Sequence, residues 1–526
     1  MNKNDKDPKY QKKWFFLDNV YLFLLIIGAV ALIVRLAFLH TEIPLNSDNF
    51  IYFRNAVDMT LGEPEIFYRA SNSGWSGFLS IIFSTFQSTN FMDYMALQRY
   101  VSIILSVITI IPVYLLGKQF FAKQYALLGA AVFVLEPRII QNSLFGITEP
   151  LYILTIVFAL VFLLKNTNKF ACLSFALIGL ATLIRFEGII LLPAFSIVYF
   201  LYQKDRKKKI PLYFCLILIF VIILLPISVL RMQESYDDGF AGKIIGNIQH
   251  EAYSERGEYV GITSLVVSGI ENLFKFLALS MVSYLIFFVP LGIILLIKNN
   301  KKQDKALLII GFSLLIPAVY SYALASDSRF LFPLYPLLCI AAIYPIKKMF
   351  ERFHREKILS VIMISSFIVI SVYYLSLKDI DVEHELEAYD MSKLIADRVE
   401  GIYLYGQEAG YLALVQLTQV DEFPVNSDEY FPSGPIQVRA TYNTMSEYIE
   451  QAKVDGVTHL ILDDGDKRPK LFNDVFYERE KYSFLIKEFS SNDYGYNYLV
   501  KIYRIDFKEF DRVKLRTNHY LILTLS

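Results

Sequence analysis

The sequence predicts an α-helical polytopic membrane protein of about eleven transmembrane helices, followed by a small soluble α/β domain. Three observations lead to this prediction. The 526 residues are 55% hydrophobic, and the apolar residues form blocks long enough to cross a bilayer. Basic residues recur in alternate connections between these blocks, as the positive-inside rule requires of cytoplasmic loops. From Lys378 onward the apolar blocks stop, and short strand and helix patterns replace them.

The first apolar block follows a polar tail, residues 1–18, that carries five lysines. A cleavable signal peptide has a short apolar core and a small-residue cleavage site, whereas this block runs on from Val20 to Leu39. We therefore predict a retained first span with its amino end in the cytoplasm. Together with ten further apolar blocks it forms a membrane domain over 19–377. These blocks lie at 99–117, 124–141, 149–164, 170–184, 187–203, 210–230, 274–297, 306–324, 331–346 and 358–376.

Charge in the loops supports this arrangement. Eleven spans place six short segments in the cytoplasm, and those segments hold 23 Lys and Arg residues in total. The segments are 1–18, 118–123, 165–169, 204–209, 298–305 and 347–357. An odd number of spans then predicts that the carboxy-terminal domain lies on the outer, extracytoplasmic face.

The first outer loop, 40–98, is long. It contains a predicted helix at 49–61 and an apolar piece at 78–87 that is too short to span and suits a helix lying in the interface. Loops of this length within a compact membrane domain are usually functional.

The carboxy-terminal domain, 378–526, is predicted to be a small α/β sheet domain. Its 17 basic and 27 acidic residues give a net charge of −10, which argues against a nucleic-acid partner. Strands are predicted at Gly401–Tyr405, Thr458–Asp463 and Tyr498–Tyr503, with a helix at Thr444–Lys453. It has no glycine-rich phosphate loop and no nucleophile elbow, so we predict a covering or acceptor-binding role. The chain's three cysteines and six histidines show no metal-ligand spacing.

Five charged residues fall on the predicted outer face, although they are far apart in the chain. Each has a local explanation when taken alone: a helix cap, a favourable helix dipole or an interfacial ion pair. Charges at membrane depth are costly and tend to be functional, so their coincidence on one face favours a site there. The five residues are Asp48, Glu149, Arg185, Glu187 and Arg329.

With these motifs the chain resembles the GT-C superfamily of membrane glycosyltransferases, in its protein-mannosyltransferase and aminoarabinose-transferase-like branch (glycosyltransferase family 39-like). The resemblance covers residues 20–345. Its motifs, in order, are Arg35-Leu-Ala, Ser47-Asp48-Asn-Phe-Ile-Tyr52-Phe-Arg54-Asn-Ala, Gln98-Arg99-Tyr-Val-Ser, Val113-Tyr-Leu-Leu-Gly-Lys-Gln-Phe, Thr148-Glu149-Pro-Leu, Leu180-Ala-Thr-Leu-Ile-Arg185-Phe-Glu187-Gly and Ser328-Arg329-Phe-Leu-Phe-Pro-Leu-Tyr-Pro.

The resemblance implies a hexosyl or pentosyl transferase. Such an enzyme passes a sugar from a polyprenyl-phosphate (dolichyl or undecaprenyl) donor to a protein, lipid or glycan acceptor at the extracytoplasmic face. The implied membrane is the plasma membrane, or the endoplasmic reticulum in a eukaryote. Asp48 matches the acid that acts as general base, and Glu149 matches the second-loop acid. Arg185 and Arg329 match positions that meet the carrier phosphate. The implied substrate cavity includes Tyr52, Arg54, Arg99 and Glu187.

No cofactor is expected, because Asn49 stands where many relatives carry a second acid beside the aspartate, and hard cations need several oxygen ligands. Three alternatives remain open. An oligosaccharyltransferase would share the architecture and need a divalent metal, but the chain has only Trp14 and Trp75 and lacks the Trp-Trp-Asp-Tyr-Gly acceptor motif. A lipid-linked sugar flippase or transporter would carry internal repeats and mid-membrane charges. A membrane anchor with a partner-binding outer domain would leave the long first loop without a role.

Overall fold

A computed structural model describes residues 20–63, 72–203, 206–235, 262–280, 285–299, 301–324, 327–398, 403–405, 417–418, 420, 422–426, 444–454, 456–463, 470–477, 482–497 and 499–524. The chain divides into two compact units. Unit 1 comprises residues 1–39, 99–230 and 263–378, and unit 2 comprises residues 40–98, 231–262 and 379–526. The first outer loop thus groups with the carboxy-terminal domain.

The elements are numbered here in chain order. The first sixteen helices are α1 (Val20–Ala37), α2 (Ser47–Thr60), α3 (Ser73–Phe83), α4 (Phe91–Ile108), α5 (Ile110–Gly117), α6 (Lys123–Val134), α7 (Pro137–Ser143), α8 (Glu149–Leu164), α9 (Asn168–Ile184), α10 (Leu191–Tyr202), α11 (Arg206–Ser235), α12 (Ile262–Ser280), α13 (Leu285–Asn299), α14 (Lys302–Leu324), α15 (Tyr335–Phe353) and α16 (Glu356–Leu377). Short 3₁₀ helices at Phe186–Ile190 and Ser328–Leu334 precede α10 and α15. The later elements are α17 (Val382–Arg398), β1 (Tyr403–Tyr405), α18 (Met445–Val454), β2 (His459–Asp463), α19 (Lys470–Tyr477), β3 (Leu485–Ser490), β4 (Val500–Ile505) and α20 (Phe507–Thr524).

The helices confirm the predicted class of polytopic helical membrane protein. Among the described residues, six helical stretches are long and apolar enough to cross a membrane. They are Val20–Ala37, Phe91–Gly117, Lys207–Gln233, Lys302–Ala323, Ser328–Phe353 and Glu356–Leu377. Shorter apolar helices, such as α8 and α9, lie between them. The total of eleven spans stays a prediction.

One predicted span is wrong as a continuous helix. The block at 124–141 is α6 and α7, separated at Glu136, whose ψ of 123° is extended. Pro137 explains the break, because the residue before a proline is driven out of the helical region. The predicted span at 274–297 overlaps α12 and α13, and its residues 281–284 lie outside the described residues.

A buried arginine organises the first helices of unit 1. Arg35 lies in the last turn of α1 and is 0% exposed. Its guanidinium donates to Ser106 Oγ on α4 and Ser143 Oγ on α7, both at 3.0 Å. It also donates to the carbonyl oxygens of Ala31, at 3.0 Å, and Val134, at 3.1 Å. Because Val134 ends α6, its carbonyl has no intrahelical donor, and Arg35 supplies one.

Close helix packing elsewhere in unit 1 depends on glycine. A Cβ added at Gly292 on α13 would lie 2.0 Å from the carbonyl oxygen of Ala341 on α15. A side chain of any kind would therefore push these two helices apart. Small residues allow this close approach of backbones, which membrane helices commonly use to pack.

Unit 2 has an aromatic core that joins the first outer loop to the carboxy-terminal domain. Phe53 on α2 stacks on Phe423, with ring centroids 5.8 Å apart and planes 11° apart. Tyr94 meets Phe423 edge-on at 5.2 Å, and Phe83 meets Tyr94 at 5.3 Å. These contacts place the predicted helix at 49–61, observed as α2, against a segment more than 300 residues later.

The sheet of unit 2 has the strand order β1-β2-β4-β3. β1 pairs with β2 in parallel, whereas β4 is antiparallel to both β2 and β3. Leu460, Leu462 and Tyr503 face a buried cluster formed with α18 and α19. The predicted α/β character is confirmed, and β2, β4 and α18 lie within a residue or two of their predicted bounds.

Candidate functional site

Arg185 is the centre of a buried charge cluster in unit 1. It follows the last residue of α9, where its backbone turns extended at φ −144° and ψ 125°. Its Nη1 lies 2.6 Å from Glu149 Oε1 and 3.1 Å from Thr148 Oγ1. Its Nη2 lies 2.7 Å from Glu187 Oε1. One guanidinium therefore joins the start of α8 to the turn after α9.

The local backbone explains how these charges meet. Glu149 opens α8, with Pro150 in the first helical turn, where a proline costs no hydrogen bond. On the other side, a Cβ at Gly188 would lie 2.7 Å from the Thr182 backbone nitrogen. Only glycine permits that approach, so the 3₁₀ turn folds back onto α9 and brings Glu187 to Arg185.

Burial makes this pairing energetically necessary. Glu149 is 1% exposed, Glu187 is 8% exposed, and the Arg185 side chain is 11% exposed. Buried charges persist only when they are paired and hydrogen-bonded. With two carboxylates on one guanidinium, this trio carries a formal charge of −1. Arg185 thus meets two carboxylates in this structure, and its predicted contact with a carrier phosphate stays a prediction.

Arg329 lies on the 3₁₀ helix that precedes α15. Asp327 caps this helix, with its Oδ1 accepting from the Arg329 backbone nitrogen at 2.9 Å, and its Oδ2 lies 2.8 Å from Arg329 Nε. The Arg329 side chain is 28% exposed, more than that of Arg185. This guanidinium is therefore the more accessible of the two.

Arg185, Glu187 and Arg329 line one small cavity. Its volume is about 20 Å³, and its other walls come mainly from α14 and the 3₁₀ helix before α15. The structure thus brings together four of the predicted residues, with Glu149 joined through Arg185. The lining residues are Tyr152, Arg185, Glu187, Leu314, Pro317, Ala318, Ser321, Arg329, Phe330 and Pro333.

The other predicted residues lie elsewhere. Arg99 is buried on α4 in unit 1 and does not line this cavity. Asp48, Tyr52 and Arg54 share α2 in unit 2, and all three are partly exposed. Asp48 falls in the first turn of α2, where the N-cap position belongs to Asn46. Spacing of four residues places Asp48 and Tyr52 on the same helix face.

Hydrogen bonds and packing hold α2 in place. Gln98 Nε2 donates to the Asn49 carbonyl oxygen at 3.0 Å, and Ser76 Oγ donates to the Tyr52 carbonyl oxygen at 3.1 Å. Phe53 and Ala56 are 0% exposed. The backbone that carries Asp48 is thus fixed by packing and by donors from α3 and α4.

A second cavity in unit 1 is apolar. Its volume is about 240 Å³, and it lies among α12, α13, α14 and α15. Thirteen residues line it, and all are Leu, Ile, Val, Phe, Ala or Gly. A cavity of this chemistry suits a hydrocarbon chain and excludes charged or strongly polar groups.

The chain is similar to one family of known sequences and to solved membrane-protein structures. Residues 83–229 match the family model described as dolichyl-phosphate-mannose-protein mannosyltransferase. ArnT from Cupriavidus metallidurans, solved with undecaprenyl phosphate bound, superimposes with a TM-score of 0.58 at 13% identity, covering 92% of this chain and 98% of that one. The oligosaccharyltransferase of Archaeoglobus fulgidus, solved tethered to an acceptor peptide, gives 0.57 at 15% identity, covering 86% and 70%. This chain has the GT-C fold. No curated protein matches its sequence.

The GT-C fold confirms the predicted resemblance, and the family match includes Arg99, Glu149, Arg185 and Glu187. Sequence reasoning missed Tyr152, which is 1% exposed and lines the cavity beside Glu187. A signal for it was present, because Tyr152 follows Glu149 by three residues and so lies on the same face of α8. It was overlooked because an isolated tyrosine in an apolar helix has no distinguishing pattern.

Proposed function

We propose that this chain is a membrane glycosyltransferase that takes a sugar from a polyprenyl-phosphate carrier and passes it to a protein, lipid or glycan acceptor. The observation that carries the proposal is the small cavity lined by Arg185, Glu187 and Arg329 in a chain of GT-C fold. Cations and a carboxylate that converge in a low-dielectric site suit a reaction in which charge develops on a phosphate.

The transfer assigns a role to each group. The bond between the sugar's anomeric carbon and the carrier phosphate oxygen breaks, and a bond from the acceptor oxygen to that carbon forms. The acceptor's proton passes to Asp48, the proposed general base. The departing polyprenyl phosphate gains negative charge, which Arg329 stabilises as the more exposed cation of the cavity.

Arg185 and Glu149 take supporting roles in this scheme. The short contacts of Arg185 hold Glu149 and Glu187 in place, so these carboxylates are oriented before substrate arrives. Glu149 then positions acceptor or sugar, and Arg185 faces the carrier phosphate. The apolar cavity of about 240 Å³ accommodates part of the prenyl chain.

The proposed orientation places the reaction and the carboxy-terminal domain on the extracytoplasmic side, of the plasma membrane or of the endoplasmic reticulum. It is supported by the 23 basic residues of the predicted cytoplasmic segments. Accessibility of a tag fused after Ser526 tests it in intact cells. A tag reached only from the cytoplasm would refute this topology.

The decisive experiment is transfer in a purified system. Protein in detergent is incubated with radiolabelled undecaprenyl-phosphate sugars, and sugar release and acceptor labelling are followed together. We expect turnover by the parent and a loss of about tenfold or more in Arg329→Gln, which removes the charge at the leaving group. Arg512→Gln is a matched control, because Arg512 is 72% exposed on α20. Absence of turnover with every donor would contradict the proposal.

We also propose that transfer needs no divalent metal, as Asn49 beside Asp48 suggests. Turnover should then survive chelation with EDTA. Activity that disappears with chelator and returns with Mg²⁺ or Mn²⁺ would favour the oligosaccharyltransferase reading instead, since the fold is equally compatible with it.

A further inference from the structure

Two residues that line the small cavity each carry a buried polar atom with no hydrogen-bond partner among the described residues. These atoms are the hydroxyl oxygen of Tyr152 and the second carboxylate oxygen, Oε2, of Glu187. Tyr152 is 1% exposed and Glu187 is 8% exposed. A buried polar group without a partner destabilises the folded protein, so two such atoms on residues of one cavity point to an occupant that satisfies them.

The two atoms specify the chemistry of that occupant. A carboxylate oxygen only accepts hydrogen bonds, whereas a tyrosine hydroxyl both donates and accepts. A hydroxyl group fits both, because it donates to Glu187 Oε2 while accepting from the Tyr152 hydroxyl. A second carboxylate or a phosphate oxygen would fit Tyr152 but would be repelled by Glu187.

The volume of the cavity limits the size of the group that can occupy it. A volume of about 20 Å³ holds roughly one water-sized group, so it admits a single hydroxyl and excludes a sugar ring. Glu187 is fixed by its 2.7 Å contact with Arg185, and Tyr152 is held on α8 one turn after Glu149. A hydroxyl in this cavity would therefore form hydrogen bonds with two fixed side chains, next to Arg329.

We propose that Tyr152 and Glu187 form a subsite that binds one hydroxyl of the donor sugar and so determines donor specificity. This inference rests on the proposed function, since it takes the cavity as the donor end of the site. Sites built to hydrogen-bond a substrate hydroxyl reject analogues that lack it far more strongly than apolar pockets reject size changes. The subsite therefore discriminates between donor sugars, which a cavity that binds only the prenyl chain cannot do.

The test compares donors in the parent and in Tyr152→Phe, which removes one oxygen atom and leaves packing intact. The probes are undecaprenyl phosphate alone, its mannosyl and glucosyl forms, and the monodeoxy analogues of the better donor. In the parent, we expect one monodeoxy analogue to lose about tenfold or more in affinity. In Tyr152→Phe, the intact donor should weaken by a similar factor, and the same analogue should show little further loss.

The controls separate a specificity role from a general defect. Affinity for undecaprenyl phosphate alone should stay within about twofold of the parent in Tyr152→Phe. Tyr125→Phe is the matched control, because Tyr125 is also a buried tyrosine but lies on α6, outside this cavity. Glu187→Gln should reproduce the loss of donor discrimination, with thermal unfolding measured in parallel because Glu187 also binds Arg185.

The outcomes distinguish the two proposals. Suppose that the parent binds and transfers normally, and that Tyr152→Phe has the same affinity and turnover as the parent with every donor. This result would overturn the subsite and show that the cavity holds water only. Equal weakening of sugar-linked and sugar-free carrier in Tyr152→Phe would also overturn it. A parent that binds no polyprenyl-phosphate lipid would overturn the proposed function itself.

Discussion

Arg185 Nη1 lies 2.6 Å from Glu149 Oε1, although the two residues are 36 positions apart, one at the start of α8 and the other just after α9. A second nitrogen of the same guanidinium contacts Glu187 at 2.7 Å. The planar fork of arginine makes this double contact, which a single ammonium group cannot reproduce. The pair therefore fixes the relative position of α8 and the turn after α9.

This relationship predicts a stability loss on substitution of Arg185. Arg185→Ala leaves two buried carboxylates unpaired, and removal of one partner from a buried pair costs about 3–5 kcal/mol. Arg185→Lys retains the charge and should lose less, because it can reach one carboxylate. Thermal unfolding in detergent is the measurement. Arg398→Lys serves as control, since its pair with Asp397 is 58% and 81% exposed and contributes little. An Arg185→Ala protein as stable as the parent would show that the cluster is not structurally important.

Asp48→Asn should abolish most turnover while leaving folding nearly intact. The substitution removes the proton acceptor, for which we expect a loss of about 10²-fold or more. The N-cap position is occupied by Asn46, and the charge of Asp48 near the helix start contributes about 0.3–1 kcal/mol to stability. Turnover and thermal unfolding are measured together.

Asp93→Asn is the matched control for this substitution. Asp93 is likewise an acid in the first turn of a helix, α4, but it is exposed and accepts from Ser88. Its replacement should leave turnover unchanged. Near-parental turnover in Asp48→Asn would remove the base role from this residue and leave only the helix contribution.

Stability of the carboxy-terminal sheet should fall as the pH drops below about 6.5. Burial of His459 lowers its pKa from 6.5, because desolvation outweighs its contact with Glu488. The neutral ring fits its surroundings, with Thr458 Oγ1 2.7 Å from Nδ1 and Glu488 Oε2 3.1 Å from Nε2. A lowered pKa means that the unfolded chain binds the proton more readily, so stability is retained above pH 6.5 and lost as pH falls through the folded-state pKa.

Glu488 adds a second, more acidic step. Burial opposes its ionisation, but hydrogen bonds from Arg504 and His459 outweigh burial and lower the pKa from 4.5. Its contribution is therefore present above pH 4.5 and lost below it. Chemical unfolding followed between about pH 2.5 and pH 8 measures both steps. His459→Gln should remove most of the dependence above pH 5, and a parent with constant stability over this range would contradict the assignment.

Arg35→Met should destabilise unit 1, even though the two side chains have similar volumes. The substitution removes donors to Ser106, Ser143 and the Val134 carbonyl, and each buried group left unsatisfied costs about 1–3 kcal/mol. Arg35→Lys should recover only part of this loss, because one ammonium cannot span α4, α6 and α7. The unfolding transition in detergent is the measurement. Leu25→Met is the control, since Leu25 on the same helix is 69% exposed.

Much of the fold could be predicted from the sequence because long apolar runs and basic loops have one physical meaning in a membrane protein. Breaks within helices were harder to predict from the sequence. Pro137 divides a predicted span through its effect on Glu136, whereas hydropathy averages over that position. β3 and α20 were missed because Leu485–Ser490 and Phe507–Thr524 carry mixed polarity, and their burial depends on neighbours remote in the chain.

The sequence predicts which residues belong to the candidate site, but it does not predict which of their charges pair with each other. Outer-face position singled out Glu149, Arg185, Glu187 and Arg329, and the structure places these four around one cavity or one guanidinium. Which charges neutralise each other depends on the tight turn at Gly188, and sequence order does not reveal it. Asp48, Tyr52 and Arg54 all lie on α2, and the site roles that the resemblance implies for them stay predictions.

The stacking of Phe53 on Phe423 has a consequence for the order in which the protein is made. Glu63, just after α2, accepts a hydrogen bond from Asn426, which is 363 residues further along. At synthesis rates of about 5–20 residues per second, the first outer loop leaves the ribosome tens of seconds before its partner exists. During that interval the aromatic face of α2 has no Phe423 to cover it. The nascent chain therefore carries the proposed catalytic helix, α2, without its packing partner Phe423. A chain whose synthesis terminates before Phe423 would never form this contact.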